Sequence, residues 1–403
     1  MNILVLGSGG VGTSIAVIAA ERDFYDQIIL GDIDESRAKA SIKDLDEKHF
    51  SHMRVDASSK ADIVKVIKDK KIDIVMNACD PRFNPQIFDA AYECKINYMD
   101  MAMHLSEPHQ SNPYEEVGIK LGDAQFEVAD DWENSGILAL VGMGVEPGMS
   151  DVFARYGSEK YFSSVQEIGV RDGANLVIEG YDFAPTFSIW TTIEECLNPP
   201  VIWEKERGFY TTKPFSEPET FFFPEGIGEV ECVNVEHEEV LLIPRYIDCE
   251  RVTFKYGLGD EFIEVLNVLH KTGLDSKDPV NVKGNMVSPR DVIAATLPNP
   301  GDLGHLMSGK TCAGTWIKGL DKEGEALEKY FYHVLDNKDS MERWGHQCVV
   351  TQTAINPVIA MELLATGLWS GSGVQGPEFF DPEPFLHLLN EYNCPWGEMD
   401  VNS

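Results

Sequence analysis

The stretch Asn2-Ile3-Leu4-Val5-Leu6-Gly7-Ser8-Gly9-Gly10-Val11-Gly12 decides the fold. Asn2 to Leu6 reads as a parallel strand buried on both faces, because its apolar run does not alternate with polar residues. Gly7, Gly9 and Gly12 have the spacing of a dinucleotide-binding turn. Gly7 makes the tight turn, Gly9 lets the backbone approach a pyrophosphate, and Gly12 lets the following helix pack close to the strand. That helix opens at Gly10 and Val11, where unpaired N–H groups and a partial positive charge suit phosphate oxygens.

The surroundings agree with this reading. Val11, Ile15, Ile18 and Ala19 recur at helical spacing, and Gln27 to Leu30 predicts a second strand that leads into Gly31-Asp32. Asp32 stands 25 positions after Gly7, near the ~20 at which an acid meets the adenosine ribose hydroxyls. A carboxylate there repels a 2′-phosphate, so NAD is expected over NADP, with Arg37 softening the choice. Asp56, at the end of the next strand, is a candidate adenine-side contact. Lys60 to Lys71 predicts a crossover helix and Asp73 to Asn77 a parallel strand. The loop Ala78-Cys79-Asp80-Pro81 follows at the carboxyl edge of the sheet, where ligands bind in doubly wound folds. Asn77, Cys79 and Asp80 are therefore expected near the nicotinamide or its ribose. A helix over Pro85 to Cys94 and strands at Asn97 to Met101 and Ile137 to Val141 complete this half.

The chain has 403 residues and a formal net charge of −34. That charge argues against nucleic-acid partners and anionic membrane surfaces. It also makes each basic residue more informative than usual. No basic n-region precedes the first strand, and no apolar stretch is expected to reach the ~20 residues of a membrane span. The eight cysteines are scattered without a C-x-x-C pair. They read as reduced thiols of a cytoplasmic protein, and no metal site is expected.

After Gly144-Val145-Glu146-Pro147-Gly148 the pattern changes. Val165 to Val170, Val201 to Glu204, Thr220 to Phe223, Val230 to Val235, Arg251 to Tyr256 and Lys329 to Leu335 predict strands, with a helix over Asp260 to Gly273. The fold class expected is α/β: an N-terminal doubly wound parallel sheet of the Rossmann type over 1–148, then an α+β domain with a mixed sheet over 149–345. A helical tail over 346–403 is expected to pack back on the first domain.

Three segments in order, namely the glycine loop, Tyr98-Met99-Asp100-Met101-Ala102 and Gly144-Val145-Glu146-Pro147-Gly148-Met149-Ser150, resemble the saccharopine dehydrogenase family. Phe380-Asp381-Pro382-Glu383-Pro384-Phe385 with Pro395-Trp396 looks like the tail of its carboxynorspermidine dehydrogenase branch. The resemblance spans essentially the whole chain. It implies an NAD(P)-dependent enzyme that makes or oxidises a secondary amine between an amino acid or amine and an oxo compound, and a homodimer built on the second domain's sheet. Two departures stand out: Glu146 replaces the aspartate of the family's D-P-G motif, and Asp32 replaces the small or basic residues of the NADP-using branches.

Such chemistry needs positioning and one managed proton. His104, Glu146 and Asp100 are the candidate acid–base residues, since they follow strands that should end beside the cofactor. A substrate with several carboxylates needs cationic anchors, so Arg171, Lys255, Lys310 and Thr311, with Tyr256, are the candidate substrate contacts; Arg245 and Arg290 are further basic residues of note. Trp190, Thr191 and Glu194 are read as pocket lining. Oxidative deamination of lysine, carboxynorspermidine dehydrogenation and non-catalytic NAD binding stand as alternatives.

Overall fold

The computed structural model describes residues 1–401. Seven parallel strands form the first sheet, in the spatial order Gly373–Gln375, Leu138–Leu140, Asn97–Asp100, Ile74–Asn77, Asn2–Leu6, Gln27–Asp32 and Phe50–Arg54. Ile3, Leu4, Val5, Val75, Met76, Ala139 and Leu140 are fully buried, as a parallel sheet covered on both faces requires. Strand order reverses between Asn2–Leu6 and Ile74–Asn77. The loops leaving these two strands therefore diverge and open a crevice at their carboxyl ends.

Helix Gly10–Ala19 covers one face with Ile15, Ala16, Ile18 and Ala19, and helix Cys348–Thr366 packs across it from the far end of the chain. This second helix corrects one sequence expectation. Its 19 residues are long and apolar enough to cross a membrane by length and composition, yet 83% of the apolar window is buried inside the protein. It is a core helix. Arg22 fixes it laterally: Nε and Nη2 donate to the two oxygens of Glu362, and the Tyr392 hydroxyl donates to Glu362 Oε2 at 2.6 Å.

The second sheet has nine strands. Its main path runs Gly208–Thr211, Val201–Glu204, Cys249–Tyr256, Phe162–Ala174, Lys310–Asp321, Ala326–Asp336 and Trp396–Asp400, and a hairpin of Glu219–Phe223 and Gly228–Asn234 joins at Cys249–Tyr256. Only the Cys249–Tyr256 and Phe162–Ala174 pair is parallel, so the sheet is mixed. The 144–148 turn and helix Met149–Tyr161 lead from the first sheet into this one.

Three local expectations fail for physical reasons. Arg171 to Asn175, read as a loop mouth, is mostly a continuation of strand Phe162–Ala174, and the Arg171 side chain is satisfied there by Glu219, the Val170 carbonyl and Thr253. Lys310 and Thr311, read as an anion-holding loop, begin strand Lys310–Asp321, and Thr311 is buried between Ala174 and Leu335. The tail is not wholly helical. It adds Gly373–Gln375 to the first sheet and Trp396–Asp400 to the second. Segments this short carry little periodic signal.

Candidate active site

The glycine loop is shaped by backbone contact. Gly7 has φ +98°, a region that disfavours side chains. A Cβ on Gly12 would lie 1.9 Å from the Gly7 carbonyl oxygen. Both colliding groups belong to the main chain and cannot move aside. Gly12→Ala is therefore expected to destabilise the first domain by ~1–3 kcal/mol or more and to abolish nucleotide binding, read by thermal melting and by quenching of protein fluorescence on addition of NADH or NADPH.

Gly9 differs from its neighbours: a Cβ there would meet only Arg37 Nη2, at 4.0 Å. The loop is thus bare on the side that faces the crevice, and the exposed Arg37 guanidinium stands beside it. Helix Gly10–Ala19 begins with no side-chain cap, leaving its first N–H groups for a ligand. Asp32 is nearly buried; its Oδ2 accepts from Ser8 N and its Oδ1 from Asp34 N, both at 2.9 Å. Bare backbone, an uncapped helix start, a guanidinium and an acid at the second strand's end fit a pyrophosphate-linked dinucleotide. Asp56 instead turns back on its own chain, accepting from Ser58 N and Oγ, and does not border the crevice.

The crevice widens into a cavity of about 510 Å³. Gly9, Gly10 and Val11 line it at the phosphate end, and Asn77, Cys79 and Asp80 line it at the edge of the central strand. Asn77 Oδ1 accepts from Cys79 N at 3.0 Å and its amide donates to Asn84 and Tyr98, so this loop is rigidly set. Burial, before the nearby charges of Asp32 and Asp80, pushes the Cys79 thiol up to about 12, which excludes it as a nucleophile near neutral pH. Asp80 holds Arg82 through two oxygens, and Arg82 in turn lies 4.2 Å over the Trp190 ring. That stack ties the first domain to helix Ile189–Leu197 of the second. Asn299, Pro300 and Gly301 reach over the glycine loop, with the Gly301 Cα 3.6 Å from the Cβ position of Gly10.

Of the acid–base candidates, Asp100 and Glu146 border the cavity and His104 does not. Beyond Ala102 the chain turns inward, with Met103 N donating to Glu238 and His104 N to Gln125. The His104 ring packs edge-on against Phe88 at 5.5 Å, and burial lowers its pKa to about 4. It is a half-buried ring kept neutral by desolvation. Asp100 is buried and accepts from Gly142 N, Tyr98 Oη and Gln125 Nε2. Burial raises it to about 7, but its lone pairs already serve the frame. The half-buried carboxyl of Glu146 lies beside the buried carboxyl of Asp172, its Oε2 without a hydrogen-bond partner, and both are held above the usual carboxylate range, first by burial.

The proposed cationic anchors lie elsewhere. Arg171 is buried behind the sheet, donating to Glu219, the Val170 carbonyl and Thr253. Lys255 Nζ lies 2.6 Å from the same Glu219. Arg245 donates to the Leu241 carbonyl and stacks on Phe126. Arg290 is paired with Glu194, and Lys310 Nζ lies 3.8 Å from Glu225. Tyr256 and Thr191 do line the cavity, while Trp190 and Glu194 stand just behind it.

What sequence reading missed is a group of acids from the second domain. His237, Glu238 and Glu195 line the cavity, with Glu236 and Glu239 next to them. His237 stacks on Phe254 at 3.8 Å and its Nδ1 lies 2.6 Å from Glu239 Oε2. Desolvation opposes its charge, but Glu239, Glu238 and Glu195 together raise it to about 10, so it is an imidazolium. Burial raises Glu195 to about 8 and Glu236 and Glu238 each to about 7. The signal was present: Glu236-His237-Glu238-Glu239 leads straight into the apolar run Val240 to Ile243 and follows the strand-like Cys232-Val233-Asn234-Val235, where a merely solvated charge run is out of place.

A saccharopine dehydrogenase NADP-binding domain model matches residues 3–140, and a saccharopine dehydrogenase C-terminal domain model matches residues 144–394. A carboxynorspermidine synthase from Vibrio alginolyticus is 30% identical over 419 residues, covering 100% of this chain and 97% of its own. A carboxyaminopropylagmatine dehydrogenase from Synechocystis sp. is 26% identical, covering 99% of this chain and 97% of its own. The fold is that of apo saccharopine dehydrogenase (L-Glu forming) from Saccharomyces cerevisiae, with a TM-score of 0.70 at 15% identity and 99% coverage of both chains. With a nucleotide-binding crevice on one side of its cavity and titratable carboxyls on the other, the chain belongs to the saccharopine dehydrogenase family and is an NAD(P)-dependent oxidoreductase acting on a CH–NH bond.

Proposed function

We propose that the enzyme joins a polyamine to an oxo compound, reducing the imine between them to a secondary amine; its similarity to a protein named carboxynorspermidine synthase in Vibrio supports a polyamine product. The observation that carries this reading is the crowding of carboxyl groups in the cavity, which a bound cation would let ionise. Glu146, Asp172, Glu195, Glu236, Glu238 and Glu239 gather at its substrate end around one cation, His237. Saccharopine, with three carboxylates, would meet repulsion there. Among the described residues lining the cavity, the other cation is Arg37, at the phosphate end. A polycation instead relieves the cost of burying like charges. This departs from a lysine-pathway reading of the family resemblance.

The nicotinamide ring, when bound, supplies hydride to the imine carbon. The protein's own part is to bind, orient and manage protons. Gly9, Gly10 and Val11 cradle the phosphates. The Glu146–Asp172 pair holds a proton near neutral pH and delivers it to the amine nitrogen, or takes it up in the reverse direction. His237, its Nδ1 2.6 Å from Glu239, places one positive charge among these acids.

The decisive assay supplies NAD⁺ or NADP⁺ with carboxynorspermidine, and in parallel with saccharopine or lysine, and follows reduced-nicotinamide absorbance. Oxidation of carboxynorspermidine alone is the expected result. Turnover of saccharopine or lysine instead overturns the reading. NAD is the proposed cofactor, supported by the carboxylate of Asp32 at the ribose position. Exchanging that charge in Asp32→Ser is expected to move the NADP-to-NAD ratio of kcat/KM upward by roughly tenfold or more, with Arg37 now facing the 2′-phosphate. An unchanged ratio removes Asp32 from cofactor choice.

A further inference from the structure

A second pair of carboxyls lies away from the cavity. Asp151 and Glu378 are both 0% exposed. Asp151 stands in the first turn of helix Met149–Tyr161, and Glu378 in the short turn Pro377–Phe379 that follows strand Gly373–Gln375 of the first sheet. Gly376 leaves room for the Glu378 carboxyl, since a Cβ there would lie 2.6 Å from Glu378 Oε2. The two side chains are hydrogen-bonded to each other, and no other partner among the described residues reaches Asp151 Oδ1 or either oxygen of Glu378. Two carboxyls supply a donor only when one is protonated, so a proton lies between them. Burial raises both, Glu378 to about 7. Glu239, Arg155 and Tyr246 are the other titratable or charged groups that face the pair.

What the pair holds is the turn that carries Glu146. Asp151 Oδ2 accepts from Gly148 N at 2.7 Å. Around that glycine the turn is closed on itself: Gly144 N donates to the Pro147 carbonyl at 2.7 Å, and Met149 N to the Gly144 carbonyl at 3.1 Å. A Cβ on Gly148 would lie 2.1 Å from the Gly144 carbonyl oxygen, so the turn has no slack. Ser150, beside Asp151, donates to Glu239 Oε1 at 2.8 Å, and Glu239 holds His237. One helix turn thus sets two members of the cavity's acidic wall. Glu378 itself does not border the cavity. We propose that Glu378 is a positioning residue for the reaction: its bond to Asp151 fixes the 144–148 turn and so keeps Glu146 at the cavity; this rests on the proton-carrying role given to Glu146 above.

The test is a double-mutant cycle in the full-length enzyme. It reads kcat for oxidation of carboxynorspermidine, or of saccharopine or lysine where one of these is the substrate turned over. Glu378→Leu fills the site but cannot hydrogen-bond. It is expected to lower kcat by roughly 10–100-fold, the scale for a slightly misplaced reacting group, with nucleotide affinity unchanged. Glu378→Gln offers Asp151 either a donor or an acceptor and is expected to keep kcat close to wild type. In the Glu146→Gln background Glu378→Leu is expected to cost little more, because the group it positions is gone. A full additional loss there overturns the proposal alone, and so does Glu378→Gln being as slow as Glu378→Leu. Full turnover in Glu146→Gln by itself sinks the role of Glu146 and the proposal with it. Amide hydrogen exchange over residues 144–151 needs no substrate. It should be faster in Glu378→Leu and unchanged in Glu378→Gln, and an unchanged rate in Glu378→Leu also overturns the proposal. Should Glu378→Leu not fold, Glu378→Asp, one methylene shorter, takes its place in both measurements with the same outcomes.

Discussion

Glu146→Gln is expected to slow turnover by roughly 10²–10⁴-fold, the range for loss of a positioned acid–base group, while leaving nicotinamide nucleotide affinity unchanged. Glutamine keeps the volume of the side chain and a hydrogen bond to Asp172. It cannot carry the proton that the pair holds. Glu146 lies at the substrate end of the cavity, and the glycine loop that holds the phosphates stands at the other, so binding and chemistry should separate. The pH profile discriminates this from a structural effect. In wild type, turnover in the reductive direction should fall on the alkaline side as the pair loses its proton, because burial holds both groups above the usual carboxylate range and the charge of Asp172 raises Glu146 further. In the variant that limb should flatten. Asp172→Asn, which leaves Glu146 to titrate without its nearest acid, should shift the limb downward rather than remove it. Full turnover in Glu146→Gln would take the pair out of the mechanism.

The parts of this molecule that were legible in sequence are those set by local pattern. Asn2 to Gly12, the strand ending at Asn77 and the loop through Asp80 each carry their own periodicity and turn residues, and all border one crevice. Misread residues share a different feature, a partner far away in the chain. Arg171 and Lys255 look like anion anchors until Glu219 arrives from the adjoining hairpin to take both. His104 follows a strand that ends at the cavity, but a turn of a few residues sends its ring into the core beside Phe88. The acidic wall is the sharpest case. Glu195 comes from a helix, Glu146 from a domain-crossing turn, Asp172 from a central strand, and His237 and Glu238 from a strand–helix junction. No window of sequence contains more than a fraction of it. Only the run at 236–239, set between a strand-like segment and the apolar run Val240 to Ile243, announced that ionisable groups were being buried.

That wall makes the stability of the ligand-free enzyme fall as pH rises from about 6.5 to 8.5, which is the second large effect expected. The sign follows from which state binds more protons. His237 titrates near 10 in the folded chain against a reference of 6.5, and Glu195 near 8 against 4.5. For each, the folded state keeps the proton longer. Their contribution is fully present below the unfolded value and is lost as pH climbs through the folded one. Glu236 and Glu238, each near 7, act in the same direction at the lower end of the window. Three groups oppose this at the lower end of the window. His104, His333 and His346 are kept neutral by burial, so their contribution is still growing at about 6.5, the unfolded value, and is complete by about 7.5, above which they no longer change stability. Glu219, lowered by Arg171 and Lys255 against its desolvation, matters only in acid. Two groups changing together correspond to ~2–3 kcal/mol per pH unit, and mutual coupling brings this to the order of 2. Thermal melting should accordingly show a Tm several degrees lower at pH 8.5 than at pH 6.5, on the order of 2–4 °C per kcal/mol for domains of this size. A polycation supplies the missing positive charge, so 1,3-diaminopropane should raise Tm more at pH 8.5 than at pH 6.5. n-Propylamine, with one charge, should do so less. A Tm that is flat or rising across this window would mean that the buried acids are compensated in the free enzyme, and the cavity would then have no electrostatic reason to seek a polyamine.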